Sequence, residues 1–359
     1  MNTCGATPPI GRGANINPPN RFESQHLSLD PADAEWCDCP PEERPNPRTQ
    51  FFFDASESLL TRNQSPDVGF EYGLNPYRGC EHGCAYCFAR PFHEYLGWSS
   101  GLDFETKILV KLRAPELLRR ELGAPRWQPQ LIAMSGVTDC YQPAERHFRL
   151  SRHCLEVCAE LRHPISIITK NALVTRDLDV LRELARWHCV RVNFSVTTLD
   201  STLAGKLEPR ASRPPARLNA IRELSAAGIP VGVMVAPTIP GLTDHELPGI
   251  LAAAAAAGAR QAGYIVLRLP YSVKDVFLRW LDDHEPDKKA RVVERLRALR
   301  GGSLYDSDWA QRWSGQGIWA EHLRRVFEIA CRRHGLNDES PALSTEHFRR
   351  PGGNQLELF

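Results

Sequence analysis

The 359-residue sequence lacks an excess of charge of either sign, because 44 basic side chains nearly balance 43 acidic ones and leave a formal charge of +1. It therefore has no global electrostatic attraction to nucleic acid or membrane, and such contacts must come from a local patch. No window approaches the roughly 18 consecutive apolar residues of a membrane span. The first 20 residues have neither an apolar signal core nor an arginine-rich amphipathic pattern. These absences predict a cytoplasmic protein with no membrane partner.

A fourth cysteine is missing where three others lie close together. Cys80, Cys84 and Cys87 fall within CEHGCAYC, at spacings of four and three, whereas sites that only hold a metal usually close with four protein ligands. Three thiolates can hold three irons of a 4Fe-4S cluster and leave the fourth iron open to another ligand. The alternative is a three-Cys zinc site completed by His82 or His93, but His82 lies between two ligands and would strain to reach the same ion.

The pattern from about residue 70 to 270 is one of short apolar runs that alternate with helical stretches. Candidate strands lie at 71–77, 130–136, 165–170, 190–196, 231–237 and 264–270, and candidate helices at 144–162, 177–188, 216–228 and 245–258. Largely apolar strands that are each followed by a helix predict a parallel sheet covered by helices. Six such units predict an α/β protein with a partial (βα)6 TIM-type barrel.

The chain divides into four predicted parts. Residues 1–45 are rich in Pro, Gly and Asn and predict a flexible N-terminal arm, extended or disordered. Residues 46–272 hold the barrel core, and 273–348 form a helical C-terminal extension with amphipathic segments. Within this extension, Trp309 and Trp313 favour packing over a stacking platform. Residues 349–359 follow as a flexible tail.

Polar, Gly and Pro residues gather where the predicted strands end, while the strands themselves stay apolar. The ends have the sequences GCEHGCAYC, SGVTDCYQP, TKN, SVTT, APTIPG and RLPY. In parallel α/β folds, chemistry takes place in the loops at the carboxyl ends of the strands. We therefore expect the active site at this edge of the sheet.

The motif CxxxCxxC, with an aromatic residue before its last cysteine and at the start of six βα units, resembles the radical S-adenosylmethionine (SAM) superfamily. The stretches NPYRGCEHGCAYCFAR, SGVTDCYQPAE, ITKN and TIPGLTD resemble the branch related to spore photoproduct lyase, over roughly residues 70–270. The resemblance implies an enzyme whose 4Fe-4S cluster binds SAM and cleaves it reductively to a 5′-deoxyadenosyl radical. It also implies an electron donor such as flavodoxin or ferredoxin.

The resemblance assigns the cluster to the three cysteines and SAM to residues at the strand ends. Lys170 is expected to pair with the SAM carboxylate, and Ser195 to hydrogen-bond the carboxylate or the ribose. Ala236 and Pro237 would offer a backbone edge to adenine. The further cofactor-contacting positions are Tyr86, which can cover the cluster from water, and Ser135, Gly136, Thr138, Asp139, Thr197, Glu208 and Arg210. For Glu208 and Arg210, a solvated ion pair is the alternative.

Cys140 lies just past the second strand of the core, in SGVTDCYQP. We expect it to face the cavity or its rim, where a thiol could donate a hydrogen atom to a substrate radical. A cysteine has this role in spore photoproduct lyase. The alternative is a rim thiol with a purely steric role.

The sequence ends in RRPGGNQLELF, and this segment resembles the peptide by which bacterial replication and repair proteins bind the DNA sliding clamp. Gln355 would supply the polar anchor, and Leu356, Leu358 and Phe359 would enter an apolar cleft. A tail folded back on the core is the alternative. The clamp peptide and the lyase-like branch together predict radical chemistry on nucleic acid, as DNA repair of a lesion or as base modification. Two other functions stay open: radical chemistry on a tRNA, peptide or metabolite, and a non-catalytic clamp-associated iron-sulfur redox protein.

Overall fold

The computed structural model of the protein describes residues 11–23, 47–339 and 342–350. The strands in these ranges are β1 (Gln50–Phe53), β2 (Leu60–Arg62), β3 (Tyr72–Leu74), β4 (Tyr77–Arg78), β5 (Lys107–Val110), β6 (Ile132–Met134), β7 (Ile165–Thr169), β8 (Val190–Ser195), β9 (Val231–Thr238) and β10 (Gln261–Val266). The α-helices are α1 (Leu102–Thr106), α2 (Ala114–Gly123), α3 (Glu145–Phe148), α4 (Leu150–Leu161), α5 (Leu178–Arg186), α6 (Ser201–Leu207), α7 (Pro214–Ala226), α8 (Leu247–Ala256), α9 (Val273–His284), α10 (Pro286–Leu299) and α11 (Gly317–His334).

A seven-stranded sheet with the order β10-β9-β8-β7-β6-β3-β2 organises the fold. β3, β6, β7, β8, β9 and β10 are parallel and follow one another in chain order, whereas β2 pairs antiparallel with β3. Helices connect the consecutive parallel strands from β6 onward. This arrangement confirms the predicted partial (βα)6 barrel, and β10 and β2 form the two edges of the open sheet.

Alternation along the strands separates a packed face from the face inside the barrel. In β8, Val190, Val192 and Phe194 are fully buried in the main core, together with residues of α4, α5, α7 and α8. Side chains at the intervening positions point to the opposite face, because successive residues of a strand face opposite sides. Ser195 belongs to this inner set, as does Lys170 at the end of β7. The strand period therefore aims both predicted SAM-contacting residues into the barrel.

Several element boundaries differ from those predicted. The helix expected at 144–162 is divided into α3 and α4 at Arg149, whose φ of 53° is left-handed. The last strand of the sheet begins and ends earlier than 264–270, because Leu267 and Leu269 turn to pack beside the cysteine loop. A second sheet with the order β1-β5-β4 was not predicted.

In the C-terminal part of the chain, α9 and α10 are separated at Glu285, and Pro286 occupies the first position of α10. Within the ranges that the structure describes, no helix is long and apolar enough to cross a membrane.

The described part of the N-terminal arm, residues 11–23, contains neither helix nor strand. It is not free, however, because Arg12, Ala14 and Asn20 are buried against the core. Residues 1–10 and 24–45 of the predicted arm, and residues 351–359 of the predicted tail, lie outside the described ranges.

Candidate active site

The cysteine loop, residues 79–89, connects β4 to a 3-10 helix at Arg90–Leu96. Cys80 and Cys84 are buried in it, and the half-buried Cys87 packs against the two apolar clusters that contain them. Burial raises the pKa of all three thiols, and the Asp139 carboxylate and the other two sulfur atoms raise that of Cys80 further. Thiolates at these positions therefore require a cation beside them, as a bound metal would supply.

The donor set of this loop fits an iron-sulfur cluster better than a single ion. In residues 11–23, 47–339 and 342–350, no three His, Cys, Asp or Glu side chains converge on one ion position. In a four-iron cluster each thiolate binds a different iron. The three sulfur atoms therefore need to lie around the cluster and do not need to meet at one point. His82 is not available as a further ligand, because its Nδ1 lies 3.3 Å from Asp139 Oδ2 and its Nε2 lies 3.2 Å from the Asn171 amide.

A buried arginine fixes the backbone of the cysteine loop. Arg90 is fully buried and donates from Nε and Nη2 to the carbonyl oxygen of Cys84, at 3.0 and 2.8 Å. Its charge is balanced by Glu105, which lies 2.5 Å away and is also fully buried. A buried ion pair of this kind needs further hydrogen bonds to offset its desolvation. Sequence reasoning missed both residues.

The N-terminal arm supplies those further hydrogen bonds. The backbone N–H groups of Gly13 and Ala14 donate to the Glu105 carboxylate at 3.0 and 2.9 Å, and Arg12 donates to the Glu105 carbonyl oxygen at 2.9 Å. The arm approaches so closely that a Cβ atom on Gly13 would lie 1.6 Å from the carbonyl oxygen of Gly83. The arm is therefore part of the structure that holds the cysteine loop.

Polar side chains from three consecutive strand ends meet beside the cysteine loop. Lys170 Nζ donates to the Ala236 carbonyl oxygen at 2.9 Å and to Ser195 Oγ, and it lies 3.6 Å from Glu208 Oε1. The ammonium group is also close enough to Cys84 and Cys87 to offset part of the rise that burial causes in the pKa of both thiols. The residues that the structure brings together here, and that we call the strand-end cluster, are Tyr86, Lys170, Ser195, Thr197, Glu208 and Ala236.

Glu208 lies at the centre of the strand-end cluster, 1% exposed. It accepts hydrogen bonds from Tyr86 OH and from Thr197 Oγ1, the latter at 2.8 Å, and pairs with the guanidinium of Arg217. Burial alone would raise the pKa of Glu208, but Arg217 and then Lys170 lower it to about 2. Arg217 also donates to the Ser195 carbonyl oxygen at 2.7 Å. Sequence reasoning missed this residue, because its only signal was a place on a predicted helix.

The ion pair considered between Glu208 and Arg210 does not form, because each residue has another partner. Arg210 turns away from the strand-end cluster, and its Nη1 lies 3.1 Å from Glu81 Oε1 and 3.3 Å from Thr49 Oγ1. Glu208 is buried rather than solvated, and its partner is Arg217.

The polar groups of the residues after β6 form hydrogen bonds that hold this loop in place. Ser135 Oγ accepts from the N–H of Cys140 at 2.7 Å, and Thr138 Oγ1 donates to the Tyr77 carbonyl oxygen at 2.7 Å. Asp139 accepts from the Lys170 N–H at 2.7 Å and also faces His82, so it ties the cysteine loop to β7. Gly136 and Pro237 are half-buried at their strand ends.

Cys140 lies in the loop after β6, and its side chain is fully buried among residues of the main core. Its carbonyl oxygen accepts from Ser151 Oγ at 2.5 Å, and burial raises the pKa of its thiol. Hydrogen-atom donation by Cys140 stays a prediction.

Two predictions about partners are not addressed by this geometry. Gln355, Leu356, Leu358 and Phe359 lie outside the described residues, so clamp docking stays a prediction. The identity of the electron donor, flavodoxin or ferredoxin, also stays one.

The chain is similar in sequence to other proteins. The chain is 40% identical over 276 residues to an uncharacterized protein of Mycobacterium tuberculosis, which covers 76% of this chain and 77% of the relative. It is also 27% identical over 173 residues to the radical SAM Nα-GlyT isomerase of Pseudomonas phage M6, over 48% of this chain and 34% of that protein.

Solved structures show the same fold. Spore photoproduct lyase complexed with dinucleoside spore photoproduct matches with a TM-score of 0.56 at 16% identity, over 80% of each chain. A mutant of that enzyme with bound AdoMet and dinucleoside spore photoproduct matches with a TM-score of 0.54 at 17% identity, again over 80% of each chain.

A family model described as the radical SAM superfamily matches residues 74–254, which include the cysteine loop and the parallel strands through β9. Membership of this family implies a 4Fe-4S cluster and SAM as cofactors, in keeping with the three thiols of the cysteine loop. The cysteine loop, the strand-end cluster and the family match together identify the chain as a radical SAM enzyme of the superfamily, with a fold like that of spore photoproduct lyase.

Proposed function

We propose that this radical SAM enzyme acts on nucleic acid, either to repair a lesion or to modify a base. The observation that carries the proposal is an exposed group of aromatic side chains next to the cysteine loop. The description of one similar structure supports it, since spore photoproduct lyase was solved with a dinucleoside spore photoproduct.

The aromatic rim consists of Phe22, Phe92, Tyr95 and Tyr271, which are between 51% and 67% exposed. The rings of Phe22 and Tyr95 are 4.9 Å apart, and Arg21 lies over three of the four rings, 4.2 Å from the centroid of Tyr271. Contiguous exposed apolar groups of this kind usually mark an interaction site. Nucleobases stack on such rings without a need for a base-specific contact. Phe92 and Tyr95 lie five and eight residues after the third cluster cysteine in the chain, and we propose that a base bound at the rim reaches the reactive centre.

The strand-end cluster suits the cofactor end of the site. When bound, the cluster and SAM supply a 5′-deoxyadenosyl radical upon one-electron reduction. Lys170 would hold the SAM carboxylate by a charge-assisted hydrogen bond, and Ser195 and Thr197 offer hydroxyl groups beside it. Glu208 fixes these groups, since its oxygens engage Tyr86, Thr197 and Arg217 and lie near the Lys170 ammonium. The buried Tyr86 keeps water from this side of the loop.

Deuterium transfer from nucleic acid tests the proposal. The reconstituted enzyme is incubated anaerobically with dithionite, SAM and single- or double-stranded DNA and RNA prepared from deuterated nucleotides. We expect 5′-deoxyadenosine that contains deuterium from at least one of these polymers, because the radical abstracts a hydrogen atom from its substrate. The measurement is mass spectrometry of the 5′-deoxyadenosine.

Two negative results have different meanings. Formation of 5′-deoxyadenosine without deuterium from any of the polymers would favour a peptide or metabolite substrate. Its complete absence under reducing conditions would favour the non-catalytic redox protein. Lys170→Met serves as the control for cofactor binding, and we expect it to form much less 5′-deoxyadenosine while its iron content stays unchanged.

A further inference from the structure

Arg268 lies between two aromatic rings at the mouth of the barrel, two residues beyond the end of β10. Its guanidinium is 5.5 Å from the ring centroid of Phe88 and 4.6 Å from that of Trp313. Phe88 directly follows the third cluster cysteine and is 37% exposed. The Trp313 loop is held in place by a hydrogen bond from the Val266 N–H to the Trp313 carbonyl oxygen, at 2.8 Å. The stack therefore joins the cysteine loop to the free edge of β10.

Arg268 has no carboxylate partner of its own within the described ranges of the chain. It forms no salt bridge there, and its Nε is buried without a hydrogen-bond partner. By contrast, the buried Arg90 and Arg217 each pair with a carboxylate, and the neighbouring Arg312 pairs with Asp67.

Arg268 is half-buried, so its guanidinium is partly removed from water and would be stabilised by an anion beside it. Burial lowers the pKa of Arg268, and the nearby Tyr305 and the Asp67 carboxylate, which pairs with Arg312, offset this only in part. Buried charges in proteins are normally paired, because an unpaired one loses its hydration without compensation. The neighbouring Arg300 donates to the carbonyl oxygens of Leu267, Gln311 and Arg312. These partners are uncharged, so they bring no carboxylate toward Arg268.

We propose that Arg268, Phe88 and Trp313 form a subsite for one phosphate of the nucleic-acid substrate and the base next to it. The inference rests on the proposed function. A guanidinium can bind a phosphate through two parallel hydrogen bonds, and an aromatic face beside it stacks a base. The SAM carboxylate is the other anion at hand, but Lys170 is already placed for it beside Cys84 and Cys87.

Salt-dependent binding of the Arg268→Gln variant tests the subsite. The probe is a fluorescein-labelled oligothymidylate of about 12 residues, and its anisotropy is followed with the cluster-loaded enzyme at several salt concentrations. We expect Arg268→Gln to weaken binding about tenfold at low salt and to reduce the slope of log affinity against log salt by about one. Arg268→Lys should keep the slope. Arg324→Gln, which removes an exposed arginine paired with Glu328 on α11, is the matched control and should change neither.

A second variant guards against a fold defect. Phe88→Ala removes a partly exposed ring and no charge, so it should weaken binding several-fold while the salt slope stays that of the wild type. Iron content and SAM affinity are measured for every variant.

Each alternative outcome overturns the inference in a distinguishable way. If Arg268→Gln binds the probe with wild-type affinity and slope, the subsite is refuted and the proposed function stands. If the variant loses SAM affinity instead, the anion is the cofactor carboxylate. If the wild type neither binds the probe nor takes deuterium from nucleic acid, the inference and the proposed function fail together.

Discussion

At the scale of single residues, the site depends on ion pairs that water does not reach. Glu208 and Arg217 are each 1% exposed, and Glu208 also faces the Lys170 ammonium at 3.6 Å. Removal of one partner from such a pair leaves the other charge buried and uncompensated. The pair therefore stabilises the fold and positions the Tyr86 and Thr197 hydroxyl groups at the same time.

Glu208→Gln should lower the free energy of unfolding of the cluster-free protein by about 3 kcal/mol, because it leaves the buried Arg217 charge without its carboxylate partner. The measurement is chemical denaturation followed by circular dichroism. Glu285→Gln is the control, since Glu285 pairs with Lys206 and Lys288 closer to the surface and should cost less than about 1 kcal/mol. Equal losses in the two variants would contradict the role assigned to burial.

The same carboxylate predicts a pH dependence. The folded state lowers the pKa of Glu208 from 4.5 to about 2. The stability that its charge contributes is therefore present above about pH 4.5 and is lost as the pH falls toward 2. The free energy of unfolding of Glu208→Gln should change less than that of the wild type over this window.

The sequence identified the cluster cysteines by their spacing, and it predicted Lys170 and Ser195 as SAM-contacting residues because both match strand ends of the family that the chain resembles. The structure places these two side chains beside the cysteine loop. Arg90, Glu105 and Arg217 were missed, since a helical or loop position does not reveal which charged side chain is buried. The left-handed backbone at Ser135 was likewise not predictable, because the residue is not a glycine.

At the scale of elements, the parallel strands and their helices were predictable from apolar runs, whereas irregular segments were not. β1 has the sequence QFFF but is exposed along its length, so its apolar residues indicated neither its edge position nor its sheet. The arm at residues 11–23 has no periodicity, and its docking depends on backbone N–H groups that any residue except proline carries. The absence of hydrophobic periodicity in residues 11–23 was therefore no evidence that this segment is detached from the core.

Gly13→Ala should release the arm from the cysteine loop, because the added Cβ would lie 1.6 Å from the Gly83 carbonyl oxygen. Loss of the two N–H donors to Glu105 would loosen the Arg90 contact with Cys84. We expect the reconstituted variant to hold less iron and to lose its cluster several-fold faster in air, as followed by the charge-transfer absorbance of the cluster.

Gly69→Ala is the matched control for this prediction. No atom lies within 4 Å of a Cβ built on Gly69, and the glycine does not have a positive φ. Identical cluster lifetimes in the two alanine variants would show that the arm has no part in holding the cysteine loop.

At the scale of the whole molecule, the partial barrel leaves an open side between its edge strands, β2 and β10. One acidic residue connects the two edges. Asp67 lies in the loop between β2 and β3, and its carboxylate accepts from the Arg312 guanidinium and from Trp313 Nε1. Trp313 in turn binds the last residue of β10. Asp67 therefore bridges the open side next to the Arg268 stack.

Asp67→Asn should open this bridge. The asparagine carries no charge for Arg312, and both side chains are largely buried, so we expect a loss of about 1–3 kcal/mol in the free energy of unfolding. Because the contact joins two distant segments, amide hydrogen exchange should become faster in both 63–71 and 309–313, and stay unchanged in β7 and β8. Asp282→Asn, which breaks the exposed pair with Lys289, should accelerate exchange in neither segment. Faster exchange in one of the two segments alone would mean that Asp67 stabilises a local loop and does not bridge the edges of the barrel.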